Sequence, residues 1–282
     1  MNISECLKIT TEFLTLNNID TPRLETEILL AHILKTDRIN LYLNPNQVLT
    51  DEQINTFKRL INRRLNHEPI AYILGSRAFM DLDLIVTNDV LIPRPDTEIL
   101  VDIAIKNLKL MSGELKIADI GTGSGAIGIS ILKYIKSAAV AAVDISDRAI
   151  EVAKSNAEKY SLTNRIEFYV GDLLEPLEGK KFNAILSNPP YIPSKMIDTL
   201  QPEVADSEPR IALDGGADGL DFYRRLIADA PYFLIEGGFL AVEIGYDQAE
   251  AVKKLADSSG RFTSTEVIKD LSQKDRVFIA KI

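Results

Sequence analysis

Residues 115–126 have the sequence LKIADIGTGSGA, in which an apolar stretch leads into three closely spaced glycines. The first half predicts a buried strand, and the residues after the glycines predict the start of a helix. Glycine adopts backbone angles that other residues avoid, and it lets the backbone approach a ligand closely. This strand–turn–helix unit therefore predicts an α/β sheet with a nucleotide-type pocket at the glycine turn.

Strand and helix patterns alternate from about Glu98 to the end of the chain. Such alternation implies right-handed crossovers and a mostly parallel sheet. We therefore predict an α/β fold with a seven-stranded, doubly wound, Rossmann-like sheet. The segments that most resemble strands are 115–120, 139–143, 166–170, 182–187, 239–244 and 276–280, with helices at 126–136 and 148–160.

The first 77 residues have a helical pattern instead. Thr21 and Pro22 are typical of a helix start, and Thr50 and Gln53 have the spacing of a capping box. The polar side of the second of these helices carries four basic residues, Lys58, Arg59, Arg63 and Arg64. They can form either a solvated face or a docking surface for a partner. We predict a helical N-terminal substrate-docking domain (1–77), a linking β-hairpin (78–93) whose returning strand lies at 90–92, and a main domain (94–282).

Composition narrows the possible functions. The formal net charge is −9, and acidic and basic residues are equal in number up to Met80, so the negative excess lies in the main domain. An acidic domain repels phosphate backbones, so we expect no extended nucleic-acid binding. One cysteine and two histidines make a metal cluster or a Ser-His-Asp mechanism improbable, and we expect no metal. We see neither a signal peptide nor a membrane span, and we expect a cytoplasmic protein.

Acidic residues follow the successive strands of the predicted sheet. Asp144 ends the second strand, where its carboxylate can accept hydrogen bonds from two ribose hydroxyls. Asp119 precedes the glycines, where a negative charge suits a cationic ligand and opposes a diphosphate. Asp172, in Gly171-Asp172-Leu173 after the third strand, can meet an adenine edge. The glycine spacing also permits an NAD site, but the acidic residue favours S-adenosyl-L-methionine, which carries a sulfonium and an ammonium group.

The segment Ser187-Asn188-Pro189-Pro190-Tyr191 follows the fourth strand, at the sheet edge where ligands bind. Two prolines stiffen the chain and remove two backbone donors. The Asn188 side-chain oxygen and the Pro189 carbonyl remain as acceptors, and Tyr191 adds an aromatic face. These groups can grip the N–H bonds of a planar amide or amino nitrogen and aim its lone pair at an electrophilic methyl group. The motif therefore predicts methylation of such a nitrogen.

The ordered set of motifs from Glu68 to the C-terminus resembles the release factor glutamine methyltransferase family (the PrmC/HemK type). The motifs are 68–75 (EPIAYILG), 92–98 (IPRPDTE), 121–125, 188–191, Glu208-Pro209, 215–220 and 243–245 (EIG). The resemblance implies transfer of a methyl group from S-adenosyl-L-methionine, with S-adenosyl-L-homocysteine as product. The acceptor would be the side-chain amide nitrogen of the glutamine in the Gly-Gly-Gln motif of bacterial class 1 release factors.

The residues and the resemblance together assign roles to individual positions. Catalysis would depend on Asn188, Pro189 and Tyr191, and these residues with Pro190 would hold the glutamine. The segment with Arg94 and Glu98 resembles the family's lid, although Glu98 is also typical of a first helical turn. The expected cofactor-binding residues are Asp119, Gly121, Thr122, Gly123, Ser124, Gly125, Asp144, Asp172, Leu173 and Asn188.

Two other enzymatic functions fit the asparagine–proline motif. An adenine amino-group methyltransferase acting on DNA or RNA would also present a planar nitrogen, but it would need base flipping and a basic channel. A ribosomal-protein glutamine methyltransferase usually differs at 94–98, so the release-factor branch is favoured. A nucleotide-sensing adaptor is a non-enzymatic alternative. The expected partners are release factors. We expect no membrane association, and we expect a monomer.

Overall fold

The chain divides into two compact units, and the computed structural model describes all residues from 1 to 282. The first unit holds residues 1–75 together with 202–207, and the second holds 76–201 and 208–282. The helices are α1 (Ile3–Leu16), α2 (Pro22–Leu34), α3 (Arg38–Leu43), α4 (Asp51–Leu65), α5 (Ile70–Leu74), α6 (Thr97–Leu108), α7 (Ala126–Tyr134), α8 (Asp147–Lys159), α9 (Pro202–Ala205), α10 (Asp221–Phe233) and α11 (Ala249–Ser259). The strands are β1 (Ser76–Phe79), β2 (Leu82–Ile85), β3 (Leu115–Ile120), β4 (Ala138–Asp144), β5 (Ile166–Val170), β6 (Phe182–Ser187), β7 (Leu234–Glu243), β8 (Ser264–Lys269) and β9 (Asp275–Lys281).

The first unit is a helical bundle around its own apolar core, to which α1, α2 and α4 contribute Leu14, Leu29 and Phe57. The predicted capping box at the start of α4 is confirmed, because the Thr50 hydroxyl accepts from the Gln53 amide and the Gln53 side chain accepts from the Thr50 amide. These two bonds satisfy amide donors that the first turn of a helix leaves without partners.

Arg64 does not lie on a solvated basic face of α4, so that part of the prediction is wrong. Its side chain is 1% exposed and pairs with the carboxylates of Glu25, at 2.6 Å, and Glu203. A buried guanidinium needs such partners because an unpaired charge in an apolar core is costly. The pairing with Glu203 also joins α9 to the first unit. Arg63 pairs with Glu68 but remains exposed, as do Lys58 and Arg59.

The hairpin is tighter than predicted. Phe79 pairs with Leu82, so only Met80 and Asp81 form the turn, and Met80 has a positive φ of 52°. Two-residue turns with left-handed residues match the twist of the flanking strands. The returning strand predicted at 90–92 is absent, because a turn at Thr87 and two nearby prolines, Pro93 and Pro95, leave no regular ladder there.

The second unit is built on a seven-stranded sheet with the order β5-β4-β3-β6-β7-β9-β8, which confirms the predicted fold class. The five neighbouring strands β5, β4, β3, β6 and β7 are parallel. Strand β9 runs antiparallel to both β7 and β8. From β3 the chain proceeds to β4 and then β5 on one side of β3. It then crosses back to β6, which lies on the other side of β3. Ligands of such sheets bind where the strand order reverses, at the carboxyl ends of the strands.

Apolar layers cover both faces of this sheet. One cluster includes Leu100, Ile129 and Phe239, and the other includes Ile185, Tyr223 and Phe278. Because β3 and β6 lie between two apolar layers, eight of their twelve side chains are apolar. Two of the polar exceptions, Asp119 and Ser187, lie near the carboxyl ends of these strands and are fixed by hydrogen bonds; Ser187 lines the predicted pocket, and Asp119 lies behind it.

Candidate active site

A cavity of about 250 Å³ lies at the carboxyl ends of β3, β4, β5 and β6. The four segments that follow these strands all contribute to its wall, and the segment before α6 closes one side. The lining residues used below are Arg94, Thr97, Gly121, Thr122, Gly123, Ser124, Asp144, Asp172, Leu173, Asn188, Pro189 and Pro190. The structure therefore brings together most of the residues that the sequence predicted for the site.

The glycine loop forms the floor of the cavity. Gly121 and Gly123 have φ values of 68° and 55°, in the left-handed region that favours glycine. An added Cβ at either position would meet no protein atom within 4 Å, so the space beyond these backbones is open. Gly125, in contrast, is packed, since a Cβ there would lie 2.7 Å from Ile129. The first two glycines expose backbone to a ligand, and the third lets α7 begin.

Asp119 lies behind the loop and does not line the cavity. Its Oδ2 accepts hydrogen bonds from the Thr122 hydroxyl at 2.6 Å and from the Gly128 amide at 2.9 Å. Its Oδ1 is buried without a hydrogen-bond partner. Complete burial raises the pKa of this carboxyl to about 6, although the two hydrogen bonds favour the ionised form. Asp119 therefore shapes the glycine loop and places a buried negative charge beneath it.

Asp144 stands at the end of β4 and does line the cavity. Its Oδ2 accepts from the Gly123 amide at 2.9 Å, and its Oδ1 accepts from the Ser146 amide at 3.0 Å. Burial raises the pKa of this carboxyl, and the backbone hydrogen bonds partly offset that effect. Each carboxylate oxygen can accept a further hydrogen bond, so the pair can still receive two hydroxyl groups.

Asp172 and Leu173 line the cavity beyond β5. The Asp172 carboxylate pairs with the Arg225 guanidinium at 2.8 Å, and both groups are partly exposed. Leu173 has a positive φ of 49°, which is uncommon for a residue with a branched side chain. The bend turns the chain at the cavity wall and places the Leu173 side chain against the apolar layer of the sheet.

Asn188 is held in one orientation at the end of β6. Its Nδ2 donates to the Thr97 hydroxyl at 3.0 Å, while its Oδ1 accepts no hydrogen bond from the chain. The preceding Ser187 hydroxyl donates to the Ile120 carbonyl at 2.7 Å, which ties the end of β6 to β3. Pro189 and Pro190 continue the cavity wall. The side-chain oxygen of Asn188 is therefore the end that remains free for a ligand.

Tyr191 turns away from the cavity, in contrast to its neighbours. Its hydroxyl donates to Glu243 Oε1 at 3.3 Å, and burial raises its pKa. Its backbone carbonyl accepts from the Gln248 side chain at 3.0 Å. Tyr191 is not among the residues that line the cavity, so the structure does not bring its ring together with the predicted acceptor groups.

The two predicted lid residues lie in different places. Arg94 lines the cavity and pairs with the buried Glu208 carboxylate at 2.6 Å. Glu98 lies in the first turn of α6 and accepts from the Met80 amide at 2.6 Å, so it stabilises the hairpin turn. Only Arg94 is positioned to contact a ligand.

Three residues near the site had no role assigned to them from the sequence, although Thr97 and Glu243 lie in the quoted motifs 92–98 and 243–245. Thr97 and Glu243 form a buried hydrogen-bonded pair beside Asn188. Asn156, on α8, holds the hairpin to the glycine loop: its side chain bonds both the amide and the carbonyl of Ile85 and donates to the Ser124 carbonyl. These contacts join positions far apart in sequence, and the only local signal was a polar residue on the apolar face of a helix.

Comparisons with known proteins agree with this architecture. Residues 5–75 match the PrmC N-terminal domain, and residues 96–216 match the methyltransferase small domain. The release factor glutamine methyltransferase of Geobacter sulfurreducens is 42% identical, over 99% of this chain and 96% of its own. The enzyme of the same name from Clostridium acetobutylicum is 45% identical, over 91% of this chain and 90% of its own. These matches confirm the family resemblance that the motifs indicated.

A solved structure supports the fold independently. The crystal structure of a methyltransferase from Pyrococcus furiosus covers 78% of this chain and 96% of its own, with a TM-score of 0.53 and 20% identity. At that identity the likeness concerns the fold alone. None of the helices of the present chain combines the length and the apolar character that crossing a membrane requires.

Proposed function

The chain belongs to the release factor glutamine methyltransferase family, and we propose that it methylates the side-chain amide nitrogen of the glutamine in the Gly-Gly-Gln motif of bacterial class 1 release factors. The methyl donor in this proposal is S-adenosyl-L-methionine. The observation that carries the proposal is the free Oδ1 of Asn188, a residue that lines the same cavity as the glycine loop and Asp144. An acceptor for N–H groups thus shares one cavity with a cradle for a nucleoside.

The cavity wall suits the proposed donor in its charges and its hydrogen-bond groups. Asp144 has acceptor capacity left for the two ribose hydroxyls, and the open backbone of Gly121 and Gly123 would allow close approach of the donor. The charge of Asp119 beneath the loop favours a cationic ligand over a diphosphate. Asp172 and Leu173 would border the adenine. When bound, S-adenosyl-L-methionine supplies an activated methyl group on a sulfonium and leaves as S-adenosyl-L-homocysteine.

The protein contributes position and orientation on the acceptor side. Asn188 Oδ1 and the Pro189 carbonyl accept the two N–H bonds of a planar amide and direct its nitrogen toward the methyl group. The prolines keep these acceptors fixed, since they restrict the backbone of 188–190. Tyr191 would support this segment through its bonds to Glu243 and Gln248 rather than by stacking in the cavity.

Transfer of labelled methyl groups tests this proposal against the alternatives. The purified protein and labelled cofactor are incubated with a release factor, the same factor with its motif glutamine replaced, a ribosomal-protein mixture, or duplex DNA and RNA. We expect label only in the unaltered release factor. Label in nucleic acid alone would favour an adenine methyltransferase, and label in the glutamine-replaced factor would overturn the assigned acceptor atom.

A further inference from the structure

Glu243 is a buried carboxylate beside the candidate active site. Its side chain is 1% exposed, at the end of β7, and it does not line the cavity. Its Oε2 accepts from the Thr97 hydroxyl at 2.5 Å and its Oε1 accepts from the Tyr191 hydroxyl. The guanidinium of Arg276 forms its ion pairs with Asp96 and Asp270 instead. A buried carboxylate without an ion pair destabilises the fold, so it calls for a functional explanation.

The number of protons in this cluster determines how Asn188 is oriented. A threonine hydroxyl has one hydrogen, and Thr97 gives it to the Glu243 carboxylate. Thr97 can therefore only accept a hydrogen bond from Asn188. The Asn188 side chain must then present its NH2 group to Thr97, and its Oδ1 must point the other way. The ionised carboxylate fixes the direction of every donor in this chain of three residues.

We propose that Glu243 is a positioning residue that acts through Thr97 to keep the Asn188 side-chain oxygen directed at the substrate amide. The proposal deepens the proposed function and rests on it, since the oxygen is useful only if the substrate presents N–H donors. Neither Glu243 nor Thr97 touches the reacting atoms in this account. Their contribution is to exclude the reversed Asn188 amide, which would present donors to a donor.

Protonation of Glu243 removes this constraint. A neutral carboxyl can donate to Thr97, which frees the threonine hydrogen for Asn188 Oδ1 and allows the amide to rotate by half a turn. Burial raises the pKa of Glu243 to about 7. The titratable and charged groups around it are Asp96 before α6, Arg94, Tyr191, Tyr223 on α10 and Arg276 on β9. The fixed orientation of the Asn188 side-chain amide should therefore be lost as the pH falls through about 7.

The test is the pH profile of turnover at saturating cofactor, measured with a release factor as substrate. Thr97→Val removes the hydroxyl at nearly constant volume, Glu243→Gln removes the charge, and Thr97→Ser restores the hydroxyl. We expect the first two variants to lower kcat by about 10- to 100-fold at pH 8, as a misoriented group does. Thr97→Ser should retain most of the turnover. The decline of wild-type turnover through pH 7 should be absent from Thr97→Val and Glu243→Gln.

Further measurements separate positioning from folding. Cofactor affinity by calorimetry should stay within about threefold in all variants, because a lost hydrogen bond to the cofactor would cost more. The thermal midpoint of Glu243→Gln at pH 8 should equal or exceed that of the wild type, since a buried charge is removed. The control is Glu250→Gln, an exposed carboxylate on α11, which should change neither the midpoint nor the pH profile.

Two outcomes would overturn the proposal. One is wild-type turnover and pH dependence in both Thr97→Val and Glu243→Gln. The other is an equal loss in Thr97→Ser and Thr97→Val, which would assign the effect to packing rather than to the hydroxyl. A wild-type protein that methylates no release factor would refute the proposed function itself, so the two failures are distinguishable.

Discussion

Asp144 Oδ2 accepts a hydrogen bond from the backbone amide of Gly123 at 2.9 Å, across 21 residues of sequence. The side chain that we propose for ribose binding therefore also fixes the glycine loop on which the donor would lie. The end of β4 and the turn after β3 form one rigid unit, so ligand affinity and loop shape depend on the same carboxylate.

Asp144→Ala should weaken binding of S-adenosyl-L-methionine by about 10- to 100-fold, because hydrogen bonds to a charged group contribute about 1.5–3 kcal/mol. Isothermal titration calorimetry measures this directly. Asp147→Ala is the matched control, since Asp147 is an exposed carboxylate three residues away that does not line the cavity. Equal affinities for the Asp144 variant and the wild type would remove Asp144 from the ribose site.

Asn188→Ala should lower kcat by about 100- to 1,000-fold, which is the usual effect of deleting one preorganised polar group that stabilises a transition state. Cofactor affinity should change far less, because the variant retains the glycine loop and Asp144. Single-turnover methyl transfer with a release factor measures the first quantity and calorimetry the second. Full turnover in this variant would refute the acceptor role of the Asn188 oxygen.

Asp119→Asn should stabilise the protein at pH 8 while it weakens cofactor binding. The asparagine oxygen can still accept from Thr122 and Gly128, and the buried charge is gone. The folded-state pKa of Asp119, about 6, lies above the ordinary value of 3.8 for an aspartate side chain. Wild-type stability from this group is thus present below pH 4 and lost as the pH rises through 6. We expect the variant to gain about 1–3 kcal/mol in free energy of unfolding at pH 8 and almost nothing at pH 4.

Urea denaturation at the two pH values measures this difference. A variant that is less stable than the wild type at pH 8 would contradict the interpretation of Asp119 as a strained buried charge. Unchanged cofactor affinity would limit its role to the shape of the loop.

Asn156→Ala should destabilise the second unit by about 2–4 kcal/mol, because it leaves the half-buried amide and carbonyl of Ile85 and the buried carbonyl of Ser124 without partners. Chemical denaturation measures the loss, with the exposed Asn164→Ala as control. A loss below about 0.5 kcal/mol, which is ordinary for a surface substitution, would show that the three hydrogen bonds do not hold the hairpin.

Local sequence patterns predicted most strands of the sheet well, including β5 at one edge, but they missed β8 at the other edge. The segments 115–120, 166–170 and 182–187 form strands at the predicted positions, since mostly apolar runs there are bounded by turns. The strand predicted from Phe239 begins at Leu234 in the structure. Its first residues were missed because Gly237 and Gly238 interrupt the apolar pattern. The edge strand β8 was missed, since four of the six residues in its sequence STEVIK are polar and the two apolar residues are adjacent, which gives no strand pattern.

The same distinction applies to the site. Glycines, acidic residues and prolines next to strand ends were recognisable because their chemistry is local. The link from Asn188 through Thr97 to Glu243 spans up to 146 residues and becomes visible only when α6 packs beside β6 and β7. Whether a hydroxyl such as that of Tyr191 faces a cavity or a buried carboxylate is likewise decided by tertiary packing.

The central claim is the transfer of a methyl group to one glutamine side chain, and mass spectrometry of that glutamine tests it most directly. A release factor is incubated with the purified protein and S-adenosyl-L-methionine, digested and fragmented. We predict a mass gain of one methyl group on the glutamine of the Gly-Gly-Gln peptide, and no gain with the Asn188→Ala variant. An unmodified glutamine with the wild-type protein, or a methyl group on another residue, would contradict the account.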